Sequence, residues 1–93
     1  MALQARLTIA GRVQGVGYRD WAVATGRRLG LPGWVRNRQD GSVEALIVGD
    51  ESAIGQMIEA CRRGPPLAQV DEIDVDPVDL DILPEGFTLL PTA

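Results

Sequence analysis

Residues 11–17 read Gly-Arg-Val-Gln-Gly-Val-Gly, and three glycines in seven residues indicate a loop. The loop stands between a predicted strand and a predicted helix that begins near Tyr18. Glycines let successive backbone N–H groups turn toward a ligand, and a helix N-terminus adds unpaired N–H groups and partial positive charge. The segment matches neither nucleotide-binding fingerprint, because Val16 and Asp20 occupy positions that those motifs reserve for other residues. Two interpretations stay open, a phosphate-binding loop and an ordinary connection.

Arg19 lies in the first turn of that predicted helix, directly after the loop. A cation is electrostatically unfavourable at a helix N-terminus. A bound dianion would remove that penalty and could accept bidentate hydrogen bonds from the guanidinium group. The alternative is that Arg19 forms an ion pair with Asp20 or with another surface acid.

Asn37 falls at the end of the second predicted strand, three residues before an Asp-Gly turn signal. Asparagine is disfavoured in strands and common near turns, where its side chain often bonds local backbone. Its carboxamide can also accept a hydrogen bond from a water molecule and donate another without titrating. Asn37 is therefore a second candidate for a functional role.

The residue types that are missing from the chain exclude several chemistries. There is no histidine and no lysine, which excludes Ser-His-Asp triads, Schiff bases and histidine metal ligands. The single cysteine, Cys61, lacks the partners of a disulfide, metal or redox motif, so we predict a small buried residue on a helix. We predict no metal site and no cofactor.

Charge is unevenly distributed along the chain, whose net charge is −4. Residues 1–40 carry seven arginines against two acids, whereas residues 41–93 carry two arginines against eleven acids. An acidic chain is a poor partner for nucleic acid or for an anionic membrane, but the basic first part suits a small anionic ligand. Residues 1–12 show no signal-peptide pattern, so we expect a cytoplasmic location. Nothing in the sequence demands a dimer, and we expect a monomer.

Hydrophobic periodicity predicts the elements that must position these residues. Apolar and polar residues alternate strictly over residues 3–9, which predicts a strand. Apolar residues at helical spacing predict a helix over 18–29, with Gly30 as its C-terminal cap. A strand begins at Trp34, the Asp40-Gly41 pair predicts a hairpin with a primed turn, and 42–48 form the return strand.

The second half continues with a helix that Asp50 caps and that carries apolar residues at 54, 57, 58 and 61. Residues 68–75 form a strand with an irregularity between Val70 and Ile73, where alternation fails, and 87–90 form a short last strand. The order β-α-β-β-α-β predicts an α+β, ferredoxin-like split βαβ sandwich, an antiparallel sheet with both helices on one face. We expect residues 1–93 to form one domain.

Two segments together resemble the acylphosphatase family. Residues 11–19, Gly-Arg-Val-Gln-Gly-Val-Gly-Tyr-Arg, are similar to its loop signature, and residues 33–44, Gly-Trp-Val-Arg-Asn-Arg-Gln-Asp-Gly-Ser-Val-Glu, are similar to its second signature. The resemblance spans nearly the whole chain. It departs at the C-terminus, where family members often have a polar or basic tail and this chain ends Leu-Leu-Pro-Thr-Ala.

The resemblance implies a metal-independent, cytosolic hydrolase that splits the carboxyl–phosphate bond of small acyl phosphates. It implies that Arg19 binds the phosphoryl group and that Asn37 orients the nucleophilic water. It further implies a cradle of backbone amides from Gln14, Gly15, Val16, Gly17, Tyr18 and Arg19.

The main alternative is a non-catalytic phosphate-binding or regulatory module, related to the N-terminal domain of hydrogenase-maturation carbamoyltransferases. The chain ends after one domain, which leads us to expect a free-standing enzyme. An RNA-binding sheet of the same topology is disfavoured by the charge and by the lack of paired exposed aromatic residues. We expect Trp21 and Trp34 to pack structurally, and Ser42 to support the hairpin or Asn37 through hydrogen bonds.

Overall fold

The computed structural model describes residues 3–93, so Met1 and Ala2 of the expected domain lie outside the described residues. Five strands and two helices follow one another along the chain. They are β1 (Leu3–Arg12), α1 (Tyr18–Arg28), β2 (Gly33–Asn37), β3 (Val43–Gly49), α2 (Glu51–Arg63), β4 (Gln69–Pro77) and β5 (Phe87–Leu89). Every predicted element is present. Neither helix of this part of the chain is long and apolar enough to span a bilayer.

The strands form one sheet in the order β4-β1-β3-β2-β5. The first four strands pair antiparallel, as predicted, and β5 adds to β2 in parallel. After β4 the chain crosses to the opposite edge of the sheet, with the N–H of Leu80 donating to the Gln4 side chain at 2.7 Å on the way. This crossing reverses the chain direction, which makes β5 parallel to β2. The ferredoxin-like fold is confirmed.

The core lies between the sheet and the two helices. Alternate residues of β1, beginning with Leu7 and Ile9, are fully buried on the helix side, and they pack with Tyr18 of α1 and Met57 of α2. Cys61 is buried beside them, and burial raises the pKa of its thiol to about 11, so it remains protonated at neutral pH. The prediction that Cys61 is a packing residue is confirmed.

A β-bulge ends the regular pairing of β1 with β4 just before the glycine-rich loop. Ala10 pairs with Glu72 and Gly11 with Val70, which leaves Asp71 as an extra residue within the predicted irregular segment. Gly11 has φ of +128°, and a side chain there would collide with the carbonyl oxygen of Gln69. The bulge therefore requires glycine where the chain leaves the sheet for the loop.

The hairpin between β2 and β3 forms as predicted, but its turn is not the primed type. The N–H of Gly41 donates to the carbonyl of Arg38 at 3.2 Å, and only Gly41 has positive φ among the residues that connect these strands. The connection is a three-residue loop that ends in a left-handed glycine. Asp40 keeps negative φ because its carboxylate accepts from both the N–H and the hydroxyl of Ser42, at 2.9 and 2.6 Å.

Both predicted helix caps are present. The Asp50 carboxylate accepts from the N–H of Ala53 at 2.7 Å at the start of α2. Gly30, with φ of +70°, follows the end of α1 and lets the chain turn back into β2.

Candidate active site

A cavity of about 230 Å³ opens where the loop between β1 and α1 meets the end of β2. It brings together Arg19 and Asn37, which come from different elements. The lining residues are Val13, Gly15, Gly17, Tyr18, Arg19, Asp20 and Asn37. Of the residues that the resemblance implied for the site, Gln14 and Val16 do not line the cavity.

The loop backbone presents the start of α1 to this cavity. Gly15 and Gly17 have φ of +74° and +79°, a backbone conformation that residues with a side chain rarely adopt. Gly17 is the N-cap residue and supplies no side-chain acceptor, so the first-turn N–H groups of α1 have no side-chain cap from residues 3–93. The positive end of the helix therefore faces a space that can accept an anion.

Tyr18 fixes the position of the helix start. Its ring is fully buried, and its hydroxyl donates to the carbonyl of Cys61 in α2 at 2.6 Å. Burial raises the pKa of Tyr18 well above its usual range, so the hydroxyl stays a donor. The side chain of Tyr18 thus anchors α1 in the core, and only its backbone is placed to serve a ligand.

Gln14 has a role that the sequence did not reveal. Its side-chain amide donates to the carbonyls of Arg38 and Ser42, both at 2.8 Å. These two bonds join the loop to the β2–β3 hairpin, which carries Asn37. No local pattern pairs residue 14 with residues 38 and 42, because the contact depends on the packing of distant segments.

Arg19 is half-buried in the cavity wall and makes no ion pair with an acid of residues 3–93. The predicted alternative, a pair with Asp20, is therefore not found. Four other arginines of the described chain do pair with acids: Arg6, Arg36, Arg38 and Arg62. The guanidinium of Arg19 remains available to a ligand.

Asn37 carries a buried acceptor that has no partner. Its side-chain oxygen Oδ1 is buried and forms no hydrogen bond with any group of residues 3–93. The alternative of a side chain that bonds local backbone is thus not observed for this oxygen. Nearly all buried polar atoms in folded proteins are satisfied, and an exception calls for an explanation such as a catalytic role or a bound water or ion. A water molecule or ligand in the cavity would supply the missing donor.

The remaining candidates have structural roles, as predicted. Trp21 packs against Tyr18 in a tilted arrangement, with ring centroids 5.3 Å apart, and Trp34 lies on the outer face of the sheet under the Arg36 guanidinium at 4.8 Å. Neither tryptophan lines the cavity. The Ser42 hydroxyl bonds Asp40 and so supports the hairpin rather than Asn37. These bonds, chiefly the one from the hydroxyl, lower the pKa of the exposed Asp40 carboxyl.

The chain is similar to known proteins over nearly its whole length. The acylphosphatase family model matches residues 5–89. An acylphosphatase of Rhodospirillum rubrum is 55% identical over 84 residues, which cover 90% of this chain and 91% of that protein. The crystal structure of acylphosphatase from Bacillus subtilis superposes with a TM-score of 0.89 at 38% identity, covering 95% of this chain and 98% of that one.

A larger protein contains a similar domain. Full-length HypF in its phosphate- and nucleotide-bound form superposes with a TM-score of 0.89 at 26% identity, covering 99% of this chain but 12% of HypF. The Rhodospirillum and Bacillus proteins, in contrast, are matched over nearly their whole length. Since the match extends over sequence, fold and length alike, the chain belongs to the acylphosphatase family.

Proposed function

We propose that this chain hydrolyses acyl phosphates to a carboxylate and inorganic phosphate, with Arg19 and the loop amides holding the phosphoryl group and Asn37 orienting the attacking water. The observation that carries the proposal is the unpaired, buried side-chain oxygen of Asn37, a residue that lines the same cavity as Arg19. A carboxamide at this position suits a reaction with water, because it can hydrogen-bond a water molecule without titrating.

The phosphoryl group binds at the start of α1. A dianion there meets the helix dipole, the uncapped N–H groups of the first turn and the guanidinium of Arg19. These donors belong to a loop that Gln14 ties to the hairpin, so they are held in place before substrate arrives. Charge that develops on the phosphoryl oxygens in the transition state is stabilised by the same groups.

The water is placed by Asn37. Its Oδ1 accepts one hydrogen of the water, which turns an oxygen lone pair toward phosphorus. The water oxygen forms the new P–O bond as the bond between phosphorus and the carboxyl oxygen breaks, and the carboxylate leaves with that electron pair. The water proton passes to a phosphoryl oxygen, so the step needs no histidine, and the chain has none.

The competing function is a non-catalytic phosphate-binding module, and the likeness to part of HypF favours it. Such a module needs Arg19 and the loop but gains nothing from a buried carboxamide oxygen at residue 37 that lacks a partner within residues 3–93. Turnover of a synthetic acyl phosphate separates the two functions.

We further propose that residues 1–93 form one domain that acts as a cytoplasmic monomer. The edge strand β4 supports the monomer, because its exposed acids Asp71, Glu72, Asp74 and Asp76 oppose pairing with a second copy. The unpaired Cys61 suits a reducing compartment. Sedimentation and cell fractionation test these two points.

The proposed reaction makes a prediction about substrate class. We expect hydrolysis of benzoyl phosphate and little hydrolysis of an alkyl phosphate monoester, because an alkoxide leaving group requires a general acid and a carboxylate does not. We expect a chelator to leave turnover unchanged, since residues 3–93 contain no group of three potential metal-binding side chains. Phosphate release from both substrates, with and without chelator, is the measurement. Equal turnover of both classes would contradict the mechanism.

Inorganic phosphate should bind the same site and protect the fold. We expect competitive inhibition and a rise in melting temperature, because a ligand at a hundred times its Kd stabilises the folded state by about 2.7 kcal/mol, or roughly 10–20 °C in a domain of this size. Differential scanning fluorimetry across a phosphate series measures it. The control is Arg28→Gln, which removes an exposed arginine outside the cavity. Its melting temperature should rise with phosphate concentration as much as that of the parent. A melting temperature independent of phosphate would mean that the loop is only a connection.

A further inference from the structure

Glu44 is a buried carboxylate surrounded by three arginines on the face of the sheet that points away from the helices. Its side chain is only 3% exposed, and it contacts Arg36 at 2.6 Å, Arg38 at 3.3 Å and Arg6 at 3.9 Å. Its neighbours Val43 and Ala45 point the other way, into the core. A charge that is buried to this degree is retained only when its partners compensate the loss of water.

Two of these arginines flank Asn37 in the sequence. Successive side chains of a strand point to opposite faces, so Arg36 and Arg38 reach Glu44 on the outer face while Asn37 reaches the cavity. Arg36 is also directly opposite Glu44 in the β2–β3 pairing. One carboxylate therefore holds the chain on both sides of the residue that carries the unpaired oxygen.

The contacts of these two arginines leave them little freedom. The Arg36 guanidinium lies between Glu44 and the ring of Trp34, whose centroid is 4.8 Å away. Arg38 bonds Glu44 through its side chain while its backbone carbonyl accepts from Gln14. Through these contacts the end of β2 is held from the outer face by Glu44 and from the cavity side by the loop.

We propose that Glu44 is a positioning residue that sets where the Asn37 side chain stands in the cavity. This inference rests on the proposed function of Asn37. Glu44 is not among the residues that line the cavity, and within residues 3–93 its carboxylate makes its hydrogen bonds to Arg36 and Arg38, through which we propose that it acts. A misplacement of about 1 Å at a reacting centre can cost roughly 10²-fold in rate, so a carboxylate outside the cavity can control turnover.

A purely structural role would make a different prediction. If Glu44 served only to stabilise the hairpin, its loss would lower the melting temperature and reduce phosphate affinity and turnover together. A positioning role lowers kcat in the folded protein and leaves phosphate affinity unchanged. Phosphate binding is spared because the Gln14 brace also bonds Ser42, whose turn is held by Asp40 independently of Glu44.

The test is Glu44→Gln, assayed well below its melting temperature. We expect kcat for benzoyl phosphate to fall about tenfold, with the Kd for inorganic phosphate unchanged within about twofold. The matched control is Asp76→Asn, which removes an exposed acid that pairs with Arg6 at 3.8 Å on the same face but does not contact Arg36 or Arg38. We expect Asp76→Asn to keep the parent kcat.

A double-mutant cycle with Asn37→Ala separates positioning from general loosening. Because Glu44 acts through Asn37, adding Glu44→Gln to Asn37→Ala should cause no further loss of kcat. An equal fold-loss in both backgrounds, or an unchanged kcat in folded Glu44→Gln, would overturn the inference. If Asn37→Ala alone keeps the parent kcat, the proposed function of Asn37 itself has failed, and that result is recognisable without any Glu44 variant.

Arg36→Gln and Arg38→Gln keep the proposal testable if Glu44→Gln does not fold. Each replacement leaves the buried Glu44 carboxylate with two of its three arginines, and both replaced side chains are partly exposed, at 33% and 42%. We expect each to lower kcat with phosphate affinity preserved, and each loss to vanish in the Asn37→Ala background. Two folded variants with the parent kcat would refute the positioning role.

Discussion

Replacement of Arg19 by glutamine is expected to remove both phosphate binding and turnover. The guanidinium lines the cavity without a partner acid among the described residues, so its charge is available to the phosphoryl group in the ground state and in the transition state. Loss of an arginine that stabilises a transferring phosphoryl group should lower kcat/KM by roughly 10³-fold or more. Phosphate titration by calorimetry and initial rates with benzoyl phosphate measure the two effects.

Two further variants make the interpretation of Arg19→Gln specific. Arg19→Lys keeps the charge but replaces a planar guanidinium, which can form bidentate hydrogen bonds, by a compact ammonium. We expect this variant to have little more activity than Arg19→Gln. Arg28→Gln, the exposed arginine of the same helix outside the cavity, should bind phosphate as the parent does. An Arg19→Gln protein that binds phosphate as tightly as the parent would contradict the role of this residue.

Replacement of Asn37 by alanine is expected to lower kcat while phosphate affinity stays nearly intact. The carboxamide orients water and does not hold the phosphoryl group, so its loss raises the barrier without weakening ground-state binding. Loss of one preorganised contact in a transition state corresponds to a fall of ~10²–10³-fold, or about 3–4 kcal/mol. The comparison of kcat with the Kd for phosphate is the measurement.

Stability supplies an independent readout for Asn37→Ala. The side chain of Asn37 forms no hydrogen bond with another group of residues 3–93 through its oxygen, so its removal should leave the melting temperature close to that of the parent. The matched control is Gln39→Ala, which deletes a carboxamide from the exposed turn of the same hairpin. It should change neither rate nor affinity. An Asn37→Ala protein with parent kcat, or one unable to bind phosphate, would overturn the assignment.

Local sequence patterns determined the elements and the candidate site residues. Gly30 and Asp50 mark helix boundaries because each satisfies a geometric or hydrogen-bonding need of its own helix end. The glycine-rich loop followed by Arg19 was recognisable because a helix N-terminus and the cation beside it are close in sequence. The order of the elements was enough to predict the ferredoxin-like sandwich, because short connections leave few ways to pack them.

Tertiary structure decided the relations that join distant segments. The parallel pairing of β5, the brace from Gln14 to Ser42 and the burial of Glu44 among arginines each depend on how packed elements meet. The turn at Asp40 and Gly41 escaped the local rule because a side-chain bond from Ser42 stabilised another geometry. The unpaired oxygen of Asn37 also depended on the tertiary structure. The sequence shows which groups are polar, but only packing determines which of them lose contact with water without gaining a hydrogen-bond partner.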